Sequence, residues 1–511
     1  MSPPDTIALS LVSHTNVGKT TLARTLLTRD IGEVRDEAHV TSEAERHTLI
    51  ESAAHDRLEL WDTPGLGDSV RLARRIEQAR NPIGWFLNEV WDRFRDRAAW
   101  SSQRALRNVL DQADAVLYLV NASESSEDVA YLDAELRVLD LLRKPVVVLL
   151  NQMGPPQPSA NEVAEIERWR VRTAASPSVR RVLAFDAFAR CWVQEDTLLQ
   201  AVGAVLPEEL RAGFARLRDA WRARSLDTWR SAMHVLAEQI GGAASDREVV
   251  HDAGWTGRLK EIGAALGLRR EGSLTPREFA MQALAERLDL DIRASTDRLI
   301  ALHGLEGQAA GAVLTRLAEH YAVREPLSES KAAVLGGILA GALTGLKADI
   351  ASGGLTMGGG LLAGGVLGAL GAAGIARGYN LIRGVGAPTL AWAPPVLTEL
   401  ARSALLRYLA VAHYGRGRGK WSESEHPAFW GDAVAAVMER SGAQLEDAWK
   451  QAKPEAIVGA LEKWLTNATA QLLAELYPDA TKLSDFLPPP QPSPASQGRE
   501  PVSPPPRASE G

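Results

Sequence analysis

The stretch of residues 7–27 constrains the fold of this chain more than any other part of the sequence. It begins with an apolar run, residues 7–12, and it ends with the helix-like sequence TLARTLL. Between them, Gly18-Lys19-Thr20 has the spacing of the phosphate-binding loop G-x-x-x-x-G-K-[ST], although Ser13 stands at the position of the first glycine. The pattern predicts a buried strand, a tight phosphate-binding loop and a helix.

The residue types in this loop suit the binding of a nucleotide. Backbone N–H groups and the N-terminus of the following helix bind phosphate oxygens. Lys19 is expected to reach the β- and γ-phosphates and to act in catalysis, and the Thr20 hydroxyl is expected to bind Mg²⁺. The candidate nucleotide-binding residues of the loop are Ser13, His14, Thr15, Asn16, Val17, Gly18, Lys19, Thr20 and Thr21.

Strand-like and helix-like segments alternate after the loop. Apolar runs typical of strands lie on either side of a helical pattern at 132–142. Such alternation predicts an α/β domain with a doubly wound, mostly parallel sheet. The further strands are expected at residues 49–52, 57–61, 114–121, 145–151 and 181–185.

Two short motifs follow predicted strands, where they can meet the phosphate loop. Asp62-Thr63-Pro64-Gly65 comes directly after one such strand. The Asp62 carboxylate is expected to hold Mg²⁺ through water, and the Gly65 N–H is expected to contact the γ-phosphate during catalysis. Asn151 and Gln152 follow a later strand, at the place where GTPases carry Asn-Lys-x-Asp to bind guanine.

Together these motifs make residues 5–190 resemble the Era/TrmE-type GTPases of the P-loop superfamily. Residues 16–20 match that family's Asn-x-Gly-Lys-[Ser/Thr], and residues 62–66 match its Asp-Thr-Pro-Gly followed by a hydrophobic residue. The resemblance implies binding of GTP and GDP, and Mg²⁺-dependent hydrolysis of GTP. It also implies a switch threonine that closes on Mg²⁺, for which Thr41 is the best match by spacing and Thr48 the second.

Four positions bear on activity. The family's Lys and Asp are Gln152 and Gly154 here, so a preference for GTP over ATP depends on another acidic group. Leu66 stands where some GTPases place a Gln that orients water, so hydrolysis by the chain alone is expected to be slow. Asn16 lies where potassium-activated members carry an Asn that helps to bind K⁺. The alternative is that Asn16 only shapes the loop.

Length and composition limit the function classes. At 511 residues the chain needs two or three domains. Its net charge of −7 argues against nucleic acid as the main partner. A single cysteine, Cys191, excludes an internal disulfide and suits a reducing compartment. The sequence MSPPDT lacks the features of a signal peptide, so a cytoplasmic location is expected.

The chain is expected to divide into a G domain and a long helical region. The G domain covers 1–200, with a helical insertion at about 68–110, and a stripe formed by Leu210, Phe214, Leu217 and Trp221 indicates a helix after it. The whole chain also resembles bacterial proteins that join such a G domain to a helical C-terminal domain of unknown function. The remaining parts are a helical domain at 201–330, a Gly-rich hydrophobic helical hairpin at 331–385, further helices at 386–487 and a disordered Pro/Ser-rich tail at 488–511.

Residues 332–376 leave two alternatives open. Glycines recur every four residues along two uncharged runs, which lets helices approach closely, as in membrane helix pairs. One alternative is a helical hairpin in the cytoplasmic membrane, although 332–346 is short for a span of about 20 residues. The other is a helix pair buried in a soluble domain or in a homo-oligomer. The repeated glycines are Gly337, Gly341, Gly345, Gly360, Gly364 and Gly368.

These observations favour a GTP-binding switch protein that hydrolyses GTP with Mg²⁺. K⁺ activation and membrane association are further expectations. The first alternative is a membrane-associated scaffold that binds nucleotide with little turnover. The second is an RNA-associated assembly GTPase like Era, which the acidic net charge and the lack of a recognisable RNA-binding module disfavour.

Overall fold

The computed structural model describes residues 5–27, 44–67, 69–77, 97–127, 129–153, 159–186, 191–250, 276–305, 375–378, 389–413 and 429–478. Within these ranges, the N-terminal part is built on a six-stranded sheet and the C-terminal part consists mainly of helices. This arrangement confirms the predicted α/β fold followed by a mainly helical region.

The six-stranded sheet has the order β2-β3-β1-β4-β5-β6. All neighbouring strands are parallel except β2 and β3, which form an antiparallel hairpin. The predicted strands are confirmed with small shifts of their ends, the largest being an earlier start of β2. Their bounds are β1 (Thr6–Ser13), β2 (Glu45–Glu51), β3 (Arg57–Asp62), β4 (Ala115–Asn121), β5 (Val146–Asn151) and β6 (Val179–Ala184).

Helices cover both faces of this sheet. Leu9 and Leu11 of β1 point into one core, which also contains side chains of the first helix, and Val12 points into a second core on the other face. Because both faces are covered, the strands read as continuous apolar runs instead of alternating ones. The helices of this part are α1 (Lys19–Leu27), α2 (Ser69–Glu77), α3 (Arg97–Gln112), α4 (Ala130–Leu142), α5 (Ser159–Thr173) and α6 (Trp192–Val205).

A long helix, α7 (Glu208–Ser245), joins the sheet to the helical region. The predicted apolar stripe lies in its first half, where Phe214, Leu217 and Trp221 belong to the core of the sheet that contains Leu9. Its second half, which includes Trp229, belongs to the core of the helical region. The stripe therefore seals one face of the α/β domain, and the helical region has a separate core.

In the residues that the structure describes, the helical region contains four further long helices and a small sheet. The sheet has the order β7-β9-β8, and Pro454 is the first residue of the helix at Pro454–Leu476. The helices are α8 (Pro276–Leu302), α9 (Pro394–Ala412), α10 (Phe429–Trp449) and α11 (Pro454–Leu476). The strands are β7 (Glu248–Val249), β8 (Ile375–Gly378) and β9 (Thr389–Trp392).

Several predicted features lie outside the described residues. They are residues 332–374 of the Gly-rich segment, residues 78–96 of the helical insertion and the tail at 488–511. Residues 375 and 376, at the end of the Gly-rich segment, lie in β8 and not in a helix. Of the helices in the described ranges, none has both the length and the apolar character that crossing a bilayer requires.

Candidate nucleotide-binding site

The phosphate loop connects β1 to α1 through two residues with left-handed backbone. Asn16 has a φ of 65° and Gly18 has a φ of 93°. Asn tolerates this region better than most residues, and Gly adopts it at no steric cost. A Cβ at Gly18 would also lie only 2.8 Å from the Asn151 side-chain nitrogen. Backbone conformation and close packing therefore both require glycine at position 18.

Lys19 is held under this loop. Its side chain is only 7% exposed, and its Nζ donates to Ser13 Oγ across 3.0 Å. Burial lowers the pKa of Lys19, whereas the negative charges of Asp62 and Glu135 act in the opposite direction. Ser13, which replaces the usual glycine, lies at the end of β1 and thus supplies the hydroxyl that positions this ammonium group.

Thr20 and Asp62 form the second part of the site. Thr20 Oγ1 donates to Asp62 Oδ2 across 2.7 Å, and Asp62 Oδ1 is buried without a hydrogen-bond partner. Burial raises the pKa of Asp62 to about 6, against the effects of the Thr20 hydrogen bond and the Lys19 charge. A buried carboxylate oxygen without a partner is costly, and carboxylate and hydroxyl oxygens are the ligands that Mg²⁺ prefers. These two residues therefore fit a Mg²⁺ ion.

The segment after Asp62 packs directly on the phosphate loop. The Leu66 amide donates to the Ser13 carbonyl oxygen across 2.9 Å. A Cβ at Gly65 would lie 2.9 Å from Thr15 Cγ2 and 3.3 Å from Lys19 Nζ, so no side chain fits there. Leu66 is 1% exposed and belongs to the core. The structure thus brings Gly65 next to Lys19, and it turns Leu66 away from solvent.

The predicted base-binding segment follows β5 and also touches the phosphate loop. Asn151 is fully buried, and its Nδ2 donates to the Val17 carbonyl oxygen across 2.7 Å. Gln152 has a φ of 57°, which turns the chain sharply after the strand. The next amide, that of Met153, donates to Asp186 Oδ2 across 3.1 Å. No sequence motif indicates Asp186, which is an acidic group beside this segment.

The two candidate switch threonines have different positions. Thr41 lies outside the described residues. Thr48 lies in β2 opposite Glu59, whereas Glu45 of the same strand pairs with Asp62. Three residues of strand span about 10 Å. Thr48 is therefore too far along the hairpin to bind the same Mg²⁺ ion as Asp62.

Glu135 of α4 is a further polar residue of the site that the motifs did not reveal. It is fully buried, and it contacts His14, Ser69 and Tyr118. One signal in the sequence could have found it. Glu135 occupies a helical position between Leu132 and Leu139, on the stripe that is otherwise apolar. A carboxylate on a buried stripe needs polar partners, and such partners point to a network.

Family models match two consecutive parts of the chain. The model described as 50S ribosome-binding GTPase matches residues 8–152. The model described as a domain of unknown function, DUF3482, matches residues 172–476. No curated protein is found to match the sequence.

Solved structures that match have low sequence identity. Era in complex with MgGDPNP and a segment of 16S ribosomal RNA is 18% identical, with a TM-score of 0.30, over 40% of this chain and 58% of that one. Era from Aquifex aeolicus bound to GDP and AlF4⁻ is 14% identical, with a TM-score of 0.30, over 57% and 89%. NFeoB from S. thermophilus bound to mGMPPNP is 13% identical, with a TM-score of 0.23, over 59% and 98%. This chain thus spans less than two thirds of the Era chain in the RNA complex.

Proposed function

Because this chain belongs to the DUF3482 family and carries an Era-like P-loop GTPase domain, we propose that it is a nucleotide switch that binds GTP with Mg²⁺ and hydrolyses it slowly. One observation carries the proposal. Asp62 has a buried carboxylate oxygen without a partner, and its other oxygen is held by Thr20 beside the buried Lys19. A bound Mg²⁺–nucleotide complex satisfies these groups together.

Each group has a role in the proposed reaction. Lys19 and the loop amides bind the β- and γ-phosphate oxygens, and Thr20 and Asp62 hold Mg²⁺, which neutralises phosphate charge when bound. Water attacks the γ-phosphorus, the bond to the β–γ bridging oxygen breaks, and GDP and phosphate leave. Gly65 offers its N–H to the γ-phosphate. Leu66 is apolar and buried, so it cannot orient the attacking water, and turnover by the chain alone is slow.

The remaining proposed ligands lie at the edges of the site. Thr41 is the proposed switch residue that closes on Mg²⁺. Asn16 is the proposed K⁺ ligand, and its side chain is exposed. Because Gly154 replaces the guanine-binding Asp, base selectivity is proposed to be weak. The substitution Gly154→Asp should then increase the discrimination of GTP over ATP, as measured by competition binding. Strong discrimination by the wild-type protein would contradict weak base selectivity.

The function is tested most directly at Lys19. Lys19→Ala should abolish binding of labelled GTP and GDP in equilibrium dialysis, because the phosphate charge loses its buried cation. Lys453→Ala, which removes an exposed lysine at the start of α11, is the control and should bind like wild type. Chromatography of nucleotide extracted from the purified protein identifies the base. Unchanged affinity of the Lys19→Ala protein would refute the site.

A further inference from the structure

The carboxylate of Glu135 lies at the centre of a buried network beneath the phosphate loop. Glu135 has no exposed surface. Its Oε1 lies 2.7 Å from His14 Nδ1 and also accepts the hydroxyl of Ser69, and its Oε2 accepts the hydroxyl of Tyr118 across 2.7 Å. The hydroxyls and the ring N–H are donors that only an acceptor-rich group satisfies. The network thus requires a carboxylate at this position.

Two of the donors come from elements that border the proposed phosphate site. His14 is the first residue after β1 in the phosphate loop, and its ring stacks on Tyr131 of α4 with centroids 4.2 Å apart and an interplanar angle of 11°. Ser69 is the first residue of α2, two residues after the segment Asp62–Gly67. The third donor, Tyr118, lies in β4, so its hydrogen bond to Glu135 involves neither the phosphate loop nor α2. Two of the three donors therefore connect the phosphate loop with the start of α2 through one side chain.

A backbone contact connects the same two elements at a second point. The Leu66 amide donates to the Ser13 carbonyl oxygen, and residues 14 and 66 form a parallel bridge. The segment that carries Gly65 is thus held to the phosphate loop by its own backbone at Leu66 and by Glu135 at Ser69. The Gly67 amide also donates to the Ser102 hydroxyl of α3 across 3.0 Å, so loss of the Glu135 contact removes one of several restraints on the segment.

We propose that Glu135 is a positioning residue that holds the Gly65 segment against the phosphate loop through His14 and Ser69. The affinity for a nucleoside triphosphate then depends on Glu135, whereas the affinity for a nucleoside diphosphate does not. The inference rests on the proposed function. A nucleoside diphosphate has no γ-phosphate for the Gly65 N–H, so it binds without help from this contact. A nucleoside triphosphate uses it, and its affinity falls when the segment is released.

The test compares three variants of the full-length protein. Ser69→Ala removes the hydrogen bond between α2 and Glu135 and keeps the charge of Glu135. Glu135→Gln removes that charge and replaces one carboxylate oxygen by an NH₂ donor. Tyr118→Phe, which removes the hydrogen bond from β4, is the control. All three alter one hydrogen bond or more of the same network. Affinities for a non-hydrolysable GTP analogue and for GDP are measured by isothermal titration with Mg²⁺, and thermal unfolding verifies that each variant is folded.

Ser69→Ala and Glu135→Gln should weaken binding of the GTP analogue about tenfold and leave GDP affinity within about twofold, because a lost hydrogen bond to a charged group changes binding by roughly that factor. Tyr118→Phe should leave the ratio of the two affinities unchanged. A double-mutant cycle measures how His14→Ala and Ser69→Ala change the affinity for the GTP analogue. The two effects should be non-additive when Glu135 is present, and they should be additive when both substitutions are made in the Glu135→Gln protein.

Two results would overturn the inference. The first is an equal loss for both nucleotides, or no loss, in Ser69→Ala and Glu135→Gln. The second is that Tyr118→Phe lowers the ratio of GTP-analogue affinity to GDP affinity as much as Ser69→Ala does. That result would indicate a general loosening of the buried cluster. If wild type bound neither nucleotide, the proposed function itself would fail, and the Lys19→Ala comparison would show this separately.

Discussion

The side-chain nitrogen of Asn151 donates to the carbonyl oxygen of Val17 across 2.7 Å, although 134 positions separate the two residues. The contact ties the end of β5 to the middle of the phosphate loop, directly beside Gly18, where a Cβ would clash with the same nitrogen. The sequence places Asn151 in a base-binding motif. In the structure its side chain instead supports the loop that is proposed to bind phosphates.

Asn151→Ala should therefore reduce nucleotide affinity whatever the base. The buried Val17 carbonyl loses its donor, which costs about 1–3 kcal/mol, and this energy corresponds to about 5- to 150-fold in affinity. Fluorescence titration with labelled GTP, ATP and ITP measures the effect. Asn121→Ala is the matched control, because Asn121 is opposite Asn151 at the end of β4 and its side chain makes exposed hydrogen bonds to Ser123 and Glu124. A loss confined to GTP would contradict this role.

Asp62→Asn should stabilise the nucleotide-free protein at pH 8 when Mg²⁺ is absent. The pKa of Asp62 is raised to about 6 by burial, above its ordinary value of 3.8. A carboxyl with a raised pKa contributes stability below its ordinary pKa and loses it as the pH rises through about 6, where the buried charge forms. The free energy of unfolding of Asp62→Asn should exceed that of wild type by at most about 3 kcal/mol at pH 8, and this difference should vanish near pH 4.

Thermal unfolding of wild type and Asp62→Asn at the two pH values measures this effect. Addition of Mg²⁺ with GTP should reverse the order, because only wild type retains the carboxylate that binds the ion. Equal stabilisation of both proteins by Mg²⁺ and GTP would show that Asp62 is not a ligand.

Asn16→Gly separates the two roles open to Asn16. Glycine adopts the left-handed backbone that Asn16 has, with a φ of 65°, so the loop keeps its shape and only the side chain is lost. If Asn16 binds K⁺, hydrolysis in KCl should fall to the rate in NaCl, with GDP affinity unchanged. Phosphate release is measured in both salts at equal ionic strength. Persistent stimulation by K⁺ would show that Asn16 only shapes the loop.

Arg216→Ala should destabilise the protein at neutral pH. Arg216 of α7 forms two hydrogen bonds with the buried carboxylate of Asp56 in the turn before β3, at 2.7 and 2.8 Å, and these hold the pKa of Asp56 well below its usual value. The stability from a depressed pKa is present above the usual value of about 4 and is lost as the pH falls.

The melting temperatures of wild type and Arg216→Ala should therefore differ most at pH 7, and the difference should shrink as the pH falls below about 4. Arg230→Ala removes an exposed arginine from the same helix and should change little at either pH. A difference between wild type and Arg216→Ala that does not depend on pH would indicate lost packing and not a lost ion pair.

The elements of the sheet could be predicted from local sequence. Apolar runs bounded by polar residues located each strand, because burial on both faces of a sheet acts over a few residues. The stripe from Leu210 to Trp221 was correctly predicted to be helical. Periodicity shows that a face is buried but not what covers it, so the packing of this stripe on the sheet became visible only in the structure.

The sequence by itself determined the chemistry available at the site. Gly18, Lys19, Thr20 and Asp62 are identifiable because the proposed binding of phosphate and Mg²⁺ demands these residue types at these spacings. Only the tertiary structure decided how they are supported. The contacts of Asn151 with Val17 and of Glu135 with His14 and Ser69 join residues from separate strands and helices. Such contacts depend on the order of strands in the sheet, which no local pattern contains.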